Sequence, residues 1–339
     1  MDLELLDKKL AERGEPRFRA GQVWAWTARG AHGYAQMSNV PSGLRDALAA
    51  EVPFSSLELR AQAHAADGTV KALFHTRDGR PLEAVLMRYR DGRRSICVSS
   101  QSGCPLTCTF CATGAMRFAR NLTTSEIVDQ ALHFRRAESI DHCVFMGMGE
   151  PLMNLDSVLA ACERLPDIGI THRRTTISTV GWIPGIERLA ECEMPLRLAL
   201  SLHAADEALR TQLMPVNERY PLRDVIEACR AFYARKRRRV FVEYVMLAGV
   251  NDRYQQALAL ADALSAGRKG AAPIFKVNLI PYNPAENADG ASYAGSSRES
   301  IAAFRAALES REVPVTVRLT RGREIAAACG QLAARGGSG

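Results

Sequence analysis

Hydrophobic spacing divides the 339-residue chain into three regimes. Up to about residue 50, LELLDKKLAERG and SGLRDALAAEV carry helical spacing, and Gly30, Gly33, Pro41 and Gly43 punctuate it. That predicts short helices forming a small bundle. Over 57–90 the period drops to two. LELRAQAHA, TVKALFHTR and PLEAVLMRYR are separated by Ala66-Asp67-Gly68 and Asp78-Gly79-Arg80, which predicts a small antiparallel meander. From about residue 95, apolar runs recur at SICVSS (95–100), HCVFMG (142–147), TTISTV (175–180), LRLALSL (196–202), VFVEYVML (240–247) and FKVNLI (275–280). Helical segments such as TTSEIVDQALHFRRA, LDSVLAACERL and LRDVIEACRAFYARK lie between them. Strands rich in Val, Ile and Leu alternating with helices predict a parallel sheet. Six such units fit an open α/β barrel, and periodicity leaves a doubly wound sheet open as well. A final strand is expected at VPVTVRLT (313–320), before a Gly/Ser-rich tail.

Composition adds limits. With 47% hydrophobic and 24% charged residues the chain reads as an ordinary globular protein. No apolar run reaches the ~18 residues of a membrane span, and the polar N-terminus lacks the apolar core of a signal peptide. A cytoplasmic protein is expected. The net charge of +7 points to an acidic partner, nucleic acid first. Basic residues concentrate at Arg88 to Arg94, Arg235 to Arg239 and Arg318 to Arg323. Each run reads either as solvated surface or as a salt-sensitive phosphate contact.

The nine cysteines change the picture most. An odd number, clustered near the middle, is no secreted disulfide framework. Cys104, Cys108 and Cys111 are spaced C-x3-C-x2-C, just after the first strand of the βα region. Parallel α/β folds place active sites in the loops at strand C-termini. A structural zinc needs four ligands, and no second C-x2-C pair accompanies these three. Three thiolates suit an iron–sulfur cluster that keeps one iron open to a small molecule.

That motif resembles the radical S-adenosylmethionine (SAM) superfamily. Gly147-Met148-Gly149-Glu150-Pro151, after the second strand, is similar to its glycine-rich element, though GMGEP alone reads as a tight turn. Glycines allow close backbone approach, and Glu150 offers a carboxylate to the SAM ammonium. The words CVSSQSGCPLTCTFCATG, RNLTTSEI, FMGMGEPLMN, SLHAADEALR, LMPVN, EYVMLAGVND, NLIPYNP and TRGREIAAACGQLA narrow the resemblance. They are similar to the RlmN/Cfr family of radical SAM RNA adenosine methyltransferases, over about residues 17 to 333.

The resemblance implies a fold and a chemistry. The fold is a partial (β/α)6 radical SAM barrel over 95–320. An N-terminal helical RNA-contact domain (1–52), a β extension (53–94) and a C-terminal segment (321–339) complete the chain. The cofactors implied are one 4Fe-4S cluster on Cys104, Cys108 and Cys111, and SAM at Gly149, Glu150, Ser178, Ser201, Leu202, His203 and Asn283. Adenine C2 is electron-poor and the SAM methyl is electrophilic, so ordinary polar transfer fails and radical chemistry is required. Cys329 matches the cysteine that first takes the methyl group, Cys97 the thiol that forms a transient disulfide with it, and Glu83 the proton acceptor. Read without the resemblance, Cys329 is a small apolar residue before a helix-ending Gly330. Cys97 is a strand core position, Glu83 an exposed meander carboxylate, His203 a capping or core histidine, and Asn283 a turn before Pro284. Cys143, Cys162, Cys192 and Cys229 match no catalytic position and read as packing.

The implied partners are 23S ribosomal RNA, transfer RNA and an electron donor such as flavodoxin or ferredoxin, for a chain acting as a monomer away from membranes. The longer words resemble the branch that methylates adenosine C2. The alternatives are C8 methylation of the same adenosine, a radical enzyme acting on a small metabolite, and an RNA-binding protein that carries a cluster without turnover.

Overall fold

The computed structural model describes residues 1–266, 272–284 and 293–333. The expected Gly/Ser-rich tail, and residues 334–339 of the C-terminal segment, lie outside the described residues. Three helices open the chain: α1 (Leu3–Glu12), α2 (Phe18–Ala28) and α3 (Ser42–Glu51). They bury their own apolar cluster, including Leu6, Leu10, Val23, Met37, Leu44 and Leu48. Trp24 Nε1 donates to Asp167 at 2.7 Å, joining this bundle to the rest. The next strands are β1 (Leu57–His64), β2 (Val70–Thr76), β3 (Pro81–Arg88) and β4 (Arg94–Cys97), all antiparallel neighbours. Two-residue strands β5 (Gln101–Ser102) and β6 (Arg120–Asn121) pair across the base of the cysteine loop.

The alternating part runs α4 (Thr124–Ala137), β7 (His142–Phe145), α5 (Leu155–Ile168), β8 (Thr175–Thr179), α6 (Ile183–Glu191) and β9 (Arg197–Ser201). It continues with α7 (Glu207–Leu213), α8 (Leu222–Lys236), β10 (Val240–Met246), α9 (Tyr254–Ser265), β11 (Phe275–Pro281), α10 (Arg298–Ser310) and β12 (Val315–Val317). Helix α4 starts where it does because Thr123 and Glu126 form a capping box. Strand β8 is buried at every position, as a parallel strand covered on both faces must be.

One ten-stranded sheet contains the order β1-β2-β3-β4-β7-β8-β9-β10-β11-β12. From β4 onward all pairings are parallel and consecutive. A doubly wound sheet reverses its strand order at a switch point; this one does not, so the open barrel is the correct alternative. Strands β1 and β12 do not pair, and the barrel stays split. The meander is continuous with the barrel through β3 and β4, where Val85 sits opposite Cys97.

Two expectations at the C-terminus change. The strand expected over 313–320 contracts to Val315–Val317, a half-exposed edge. IAAACGQLA is not helical: after a 3-10 turn at Arg323–Ile325, Ala326 has φ +49°, and the chain runs on as a strap without helix. No helix among the described residues is long and apolar enough to cross a membrane.

Candidate active site

Loops at the C-terminal ends of the parallel strands converge on a cavity of about 160 Å³. Cys104, Cys108 and Cys111 line it together with Glu150, Ser178, Ser201, His203 and Cys329. The cysteine loop is held from two sides. Thr109 N donates to Leu213 O of α7 at 3.0 Å, and Ala112 N donates to Gly330 O of the strap at 2.8 Å. Gly114 is required because a Cβ there would lie 2.6 Å from Cys108 O. Burial pushes the Cys104 thiol up to about 12. It also raises Cys108 well above its ordinary value, with the neighbouring Cys111 and Cys104 adding to the rise. Crowded, buried thiols of this kind become thiolates on binding metal.

The GMGEP turn forms the facing wall. A Cβ on Gly147 would meet Val98 O at 2.7 Å, and one on Gly149, at φ +95°, would meet Gln101 Cβ at 2.4 Å. Both glycines let this turn lie against the segment after β4. The adjacent Glu150 is buried, and its carboxylate accepts from Leu152 N at 3.0 Å and Val180 N at 2.9 Å. Burial raises it to about 7 against the pull of these amides. The carbonyl of the same residue is held by Arg210, whose Nη2 donates to Val180 O at 2.6 Å. Arg210 is fully buried and also donates to Asn217. Gln101, Arg210 and Asn217 were not singled out from sequence, although each lies inside one of the diagnostic words. Only their hydrogen bonds reveal their part.

The remaining candidates separate. Ser178 and Ser201 face each other, Oγ to Oγ, at 3.3 Å. His203 has φ +58° and accepts from Val245 N on Nδ1 at 3.0 Å. Burial, with the Arg210 charge behind it, lowers its imidazole to about 3, so the ring is neutral. The Leu202 side chain packs in the main core, leaving only its backbone for a ligand. Asn283 lines a second cavity rather than the first.

That second cavity, about 500 Å³, fills the barrel lumen. Cys97 and Cys329 both line it, and Cys329 therefore stands on the wall common to the two cavities. Although its surface is open to the cavities, burial among protein groups raises the Cys329 thiol, with Arg318 opposing. Burial and the Cys329 thiol push Cys97 up to about 12. Arg318 Nη2 pairs with Glu243 at 3.0 Å, and Asn278 donates to the same carboxylate oxygen at 2.9 Å.

Glu83 is not the exposed carboxylate that alternation in the meander suggests. It is fully buried because β3 lies inside the continuous sheet and the strap covers it. It pairs with Lys71 at 2.9 Å and accepts from Ala333 N at 3.0 Å. Lys71 also donates to Ala326 O at 3.3 Å. Thr113 Oγ1 to Leu332 O, at 2.6 Å, completes the pinning of the strap around Cys329. Cys143, Cys162 and Cys229 are buried in the core, with Cys192 packed against it.

Comparison with known proteins agrees with this geometry. Residues 98–261 match the Radical SAM superfamily, and residues 1–53 match the Ribosomal RNA large subunit methyltransferase N-terminal domain. The chain is 43% identical to the dual-specificity RNA methyltransferase RlmN of Anaeromyxobacter dehalogenans, covering 99% of this chain and 91% of the relative. It is 42% identical to that of Pelobacter propionicus, covering 98% and 94%. The crystal structure of a radical SAM methyltransferase from Sphaerobacter thermophilus superposes with a TM-score of 0.91 at 40% identity, covering 99% of this chain and 98% of that one. With its split barrel, three-cysteine loop and full-length relatives, this chain belongs to the RlmN family of radical SAM RNA methyltransferases.

Proposed function

We propose that this enzyme methylates C2 of an adenosine in 23S ribosomal RNA and of the adenosine next to the anticodon in transfer RNAs. Membership of the family implies SAM and a 4Fe-4S cluster, and the cysteine loop suits the latter. A cluster on Cys104, Cys108 and Cys111, with SAM at its open iron, would supply a carbon-centred radical. Glu150 receives the SAM ammonium, the neutral His203 and the Ser178–Ser201 pair offer uncharged polar contacts, and the apolar wall excludes water.

The observation that carries the reading is the position of Cys329, common to the cluster cavity and to the cavity of Cys97. From there one sulfur can take a methyl group on the cluster side and present it on the lumen side. Removal of one hydrogen atom from the S-methyl group by that radical would leave a methylene carbon on Cys329 that joins adenine C2, and the adduct would then lose the C2 proton to a base and one electron to a cluster held by the three cysteines. The Cys97 thiolate would attack the Cys329 sulfur, forming the S–S bond as the sulfur–methylene bond breaks, and the released carbon would take a proton to become the methyl group of the base. Two SAM molecules are used per turnover. Glu83, which lines neither cavity, is placed to hold the strap and reaches the base only if the strap moves.

Names of the relatives favour the C2 branch over C8. Mass spectrometry of digested RNA, after expression in a host lacking the modification, tests it. We expect 2-methyladenosine in both RNAs; 8-methyladenosine alone would refute the assignment.

A further inference from the structure

Met146, Glu243, Ile280 and Cys329 border both the cluster cavity and the lumen cavity. Glu243 is the charged side chain of that group. Among the described residues it is also the one carboxylate that lines the lumen. The Arg and Lys side chains around it there are Arg93, Arg174, Arg197, Lys276, Arg318 and Arg321. Such a lining attracts an acidic substrate, and a carboxylate in that company works against the attraction. Pairing with Arg318 accounts for only half of it.

Glu243 belongs to a polar row across the barrel wall. Parallel pairing sets it opposite Ser201 of β9 and Asn278 of β11, and sets Asn278 opposite Thr316 of β12. Thr316 Oγ1 donates to Asn278 Oδ1 at 2.6 Å, which orients that amide so that its Nδ2 donates to Glu243 Oε1 at 2.9 Å. Arg318 Nη2 donates to the same oxygen at 3.0 Å. Two donors on Oε1 fix the orientation of the carboxylate and favour its charged form. The second oxygen, Oε2, is buried and has no hydrogen-bond partner. An acceptor left in that state costs stability unless a ligand brings the donor.

We infer that Glu243 Oε2 accepts from the exocyclic amine of the target adenine, so that Glu243 is the residue that selects this base. The inference rests on adenosine being the substrate. In a nucleoside the adenine amine is the donor of the ring, and the free ring nitrogens are acceptors. C2 and the amine flank N1 on one edge, so an adenine with C2 at Cys329 turns its amine toward a group beside that sulfur. Glu243 is such a group, since it borders the same two cavities and its charge acts on the Cys329 thiol. Guanine carries an acceptor oxygen in place of the amine, which would face the carboxylate acceptor to acceptor and be rejected. Met146 and Ile280 offer the flat ring apolar contact at the same junction. Asn278 and Arg318, which hold Oε1, line the lumen cavity and not the cluster cavity. That sets the network on the side of the RNA base rather than of SAM.

The test is Glu243→Gln in the cluster-loaded enzyme, with anticodon hairpins whose target residue is adenosine or purine riboside, which lacks only the amine. Arg318 and Asn278 hold the Gln amide oxygen where Oε1 lies, so its NH2 takes the place of Oε2 and meets the adenine amine donor to donor. Methyl-transfer kcat/KM is measured anaerobically for both RNAs with both enzymes. The intrinsic reactivity of each ring is common to the two enzymes, so the change in the adenosine-to-purine ratio isolates the contact. That ratio should fall about 10- to 100-fold in the variant, as for loss of a hydrogen bond to a charged group. The Kd for SAM, by equilibrium dialysis, should not change. Equal ratios in the two enzymes would overturn the inference. So would weaker SAM binding with equal loss on both RNAs, which assigns Oε2 to SAM. If the variant turns over too slowly, hairpin affinities by fluorescence anisotropy supply the same two ratios, and equality there overturns it as well. A wild type that leaves the adenosine hairpin unmethylated would sink the adenosine reading itself, whereas transfer with equal ratios sinks only the role of Glu243.

Discussion

Glu150→Gln removes a proton site whose consequences can be worked out. Burial raises this carboxyl from 4.5 to about 7, so between those values the folded chain holds a proton that the unfolded chain has released. The stability tied to that proton is complete below about pH 4.5 and is lost as pH climbs through 7. The gap, at about 1.4 kcal/mol per pH unit, amounts to about 3 kcal/mol. Gln does not titrate. Its amide can accept from only one of the Leu152 and Val180 N–H groups, which costs about 1–3 kcal/mol at every pH. The variant should therefore gain on the wild type by about 3 kcal/mol between pH 5 and pH 8, read by urea unfolding of the cluster-free protein. Parallel pH profiles would refute the burial argument. In the cluster-loaded enzyme the same change would remove the charged partner proposed for the SAM ammonium. A loss of about 1.5–3 kcal/mol weakens SAM by about 10- to 100-fold, measured anaerobically by equilibrium dialysis. An unchanged Kd would end the assignment of Glu150 to the ammonium.

Two further outcomes are expected. Cys97→Ala should accumulate a covalent protein–RNA adduct on denaturing gels while Cys329→Ala forms none; two inactive, adduct-free variants would require a different pair of thiols. Gly147→Ala would force a Cβ to 2.7 Å from Val98 O, and overpacking of this kind costs about 1–3 kcal/mol. Its urea midpoint and iron content should both fall, and an unchanged midpoint would show that the turn has room to spare.

Much of the site was legible in short words because its chemistry is local. Cys104, Cys108 and Cys111 occupy one loop, and Gly147 to Glu150 one turn, so their spacing carries their geometry. The long-range partners left no such trace. Glu83 sits in an alternating run that reads as half-exposed, yet it is buried by residues about 250 positions later. Arg210 carried no signal of its own, and its role depends on where the Val180 carbonyl lies. The C-terminal strap misled for a related reason. Its Ala-rich composition favours a helix, but hydrogen bonds to Ala112, Thr113 and Glu83 hold it as a succession of turns instead.

Residue type and local spacing were enough to establish the strand–helix alternation, the cluster loop and the glycine turn, because hydrophobic period and ligand spacing act over a few residues. Three-dimensional packing settled what depends on contacts between distant segments. The consecutive strand order made the sheet an open barrel and carried the meander into it. The strap put Cys329 on the wall common to the cavity of Cys104, Cys108 and Cys111 and the cavity of Cys97. Burial and charge pairing are sums over all neighbours in space, and a linear pattern does not contain that sum.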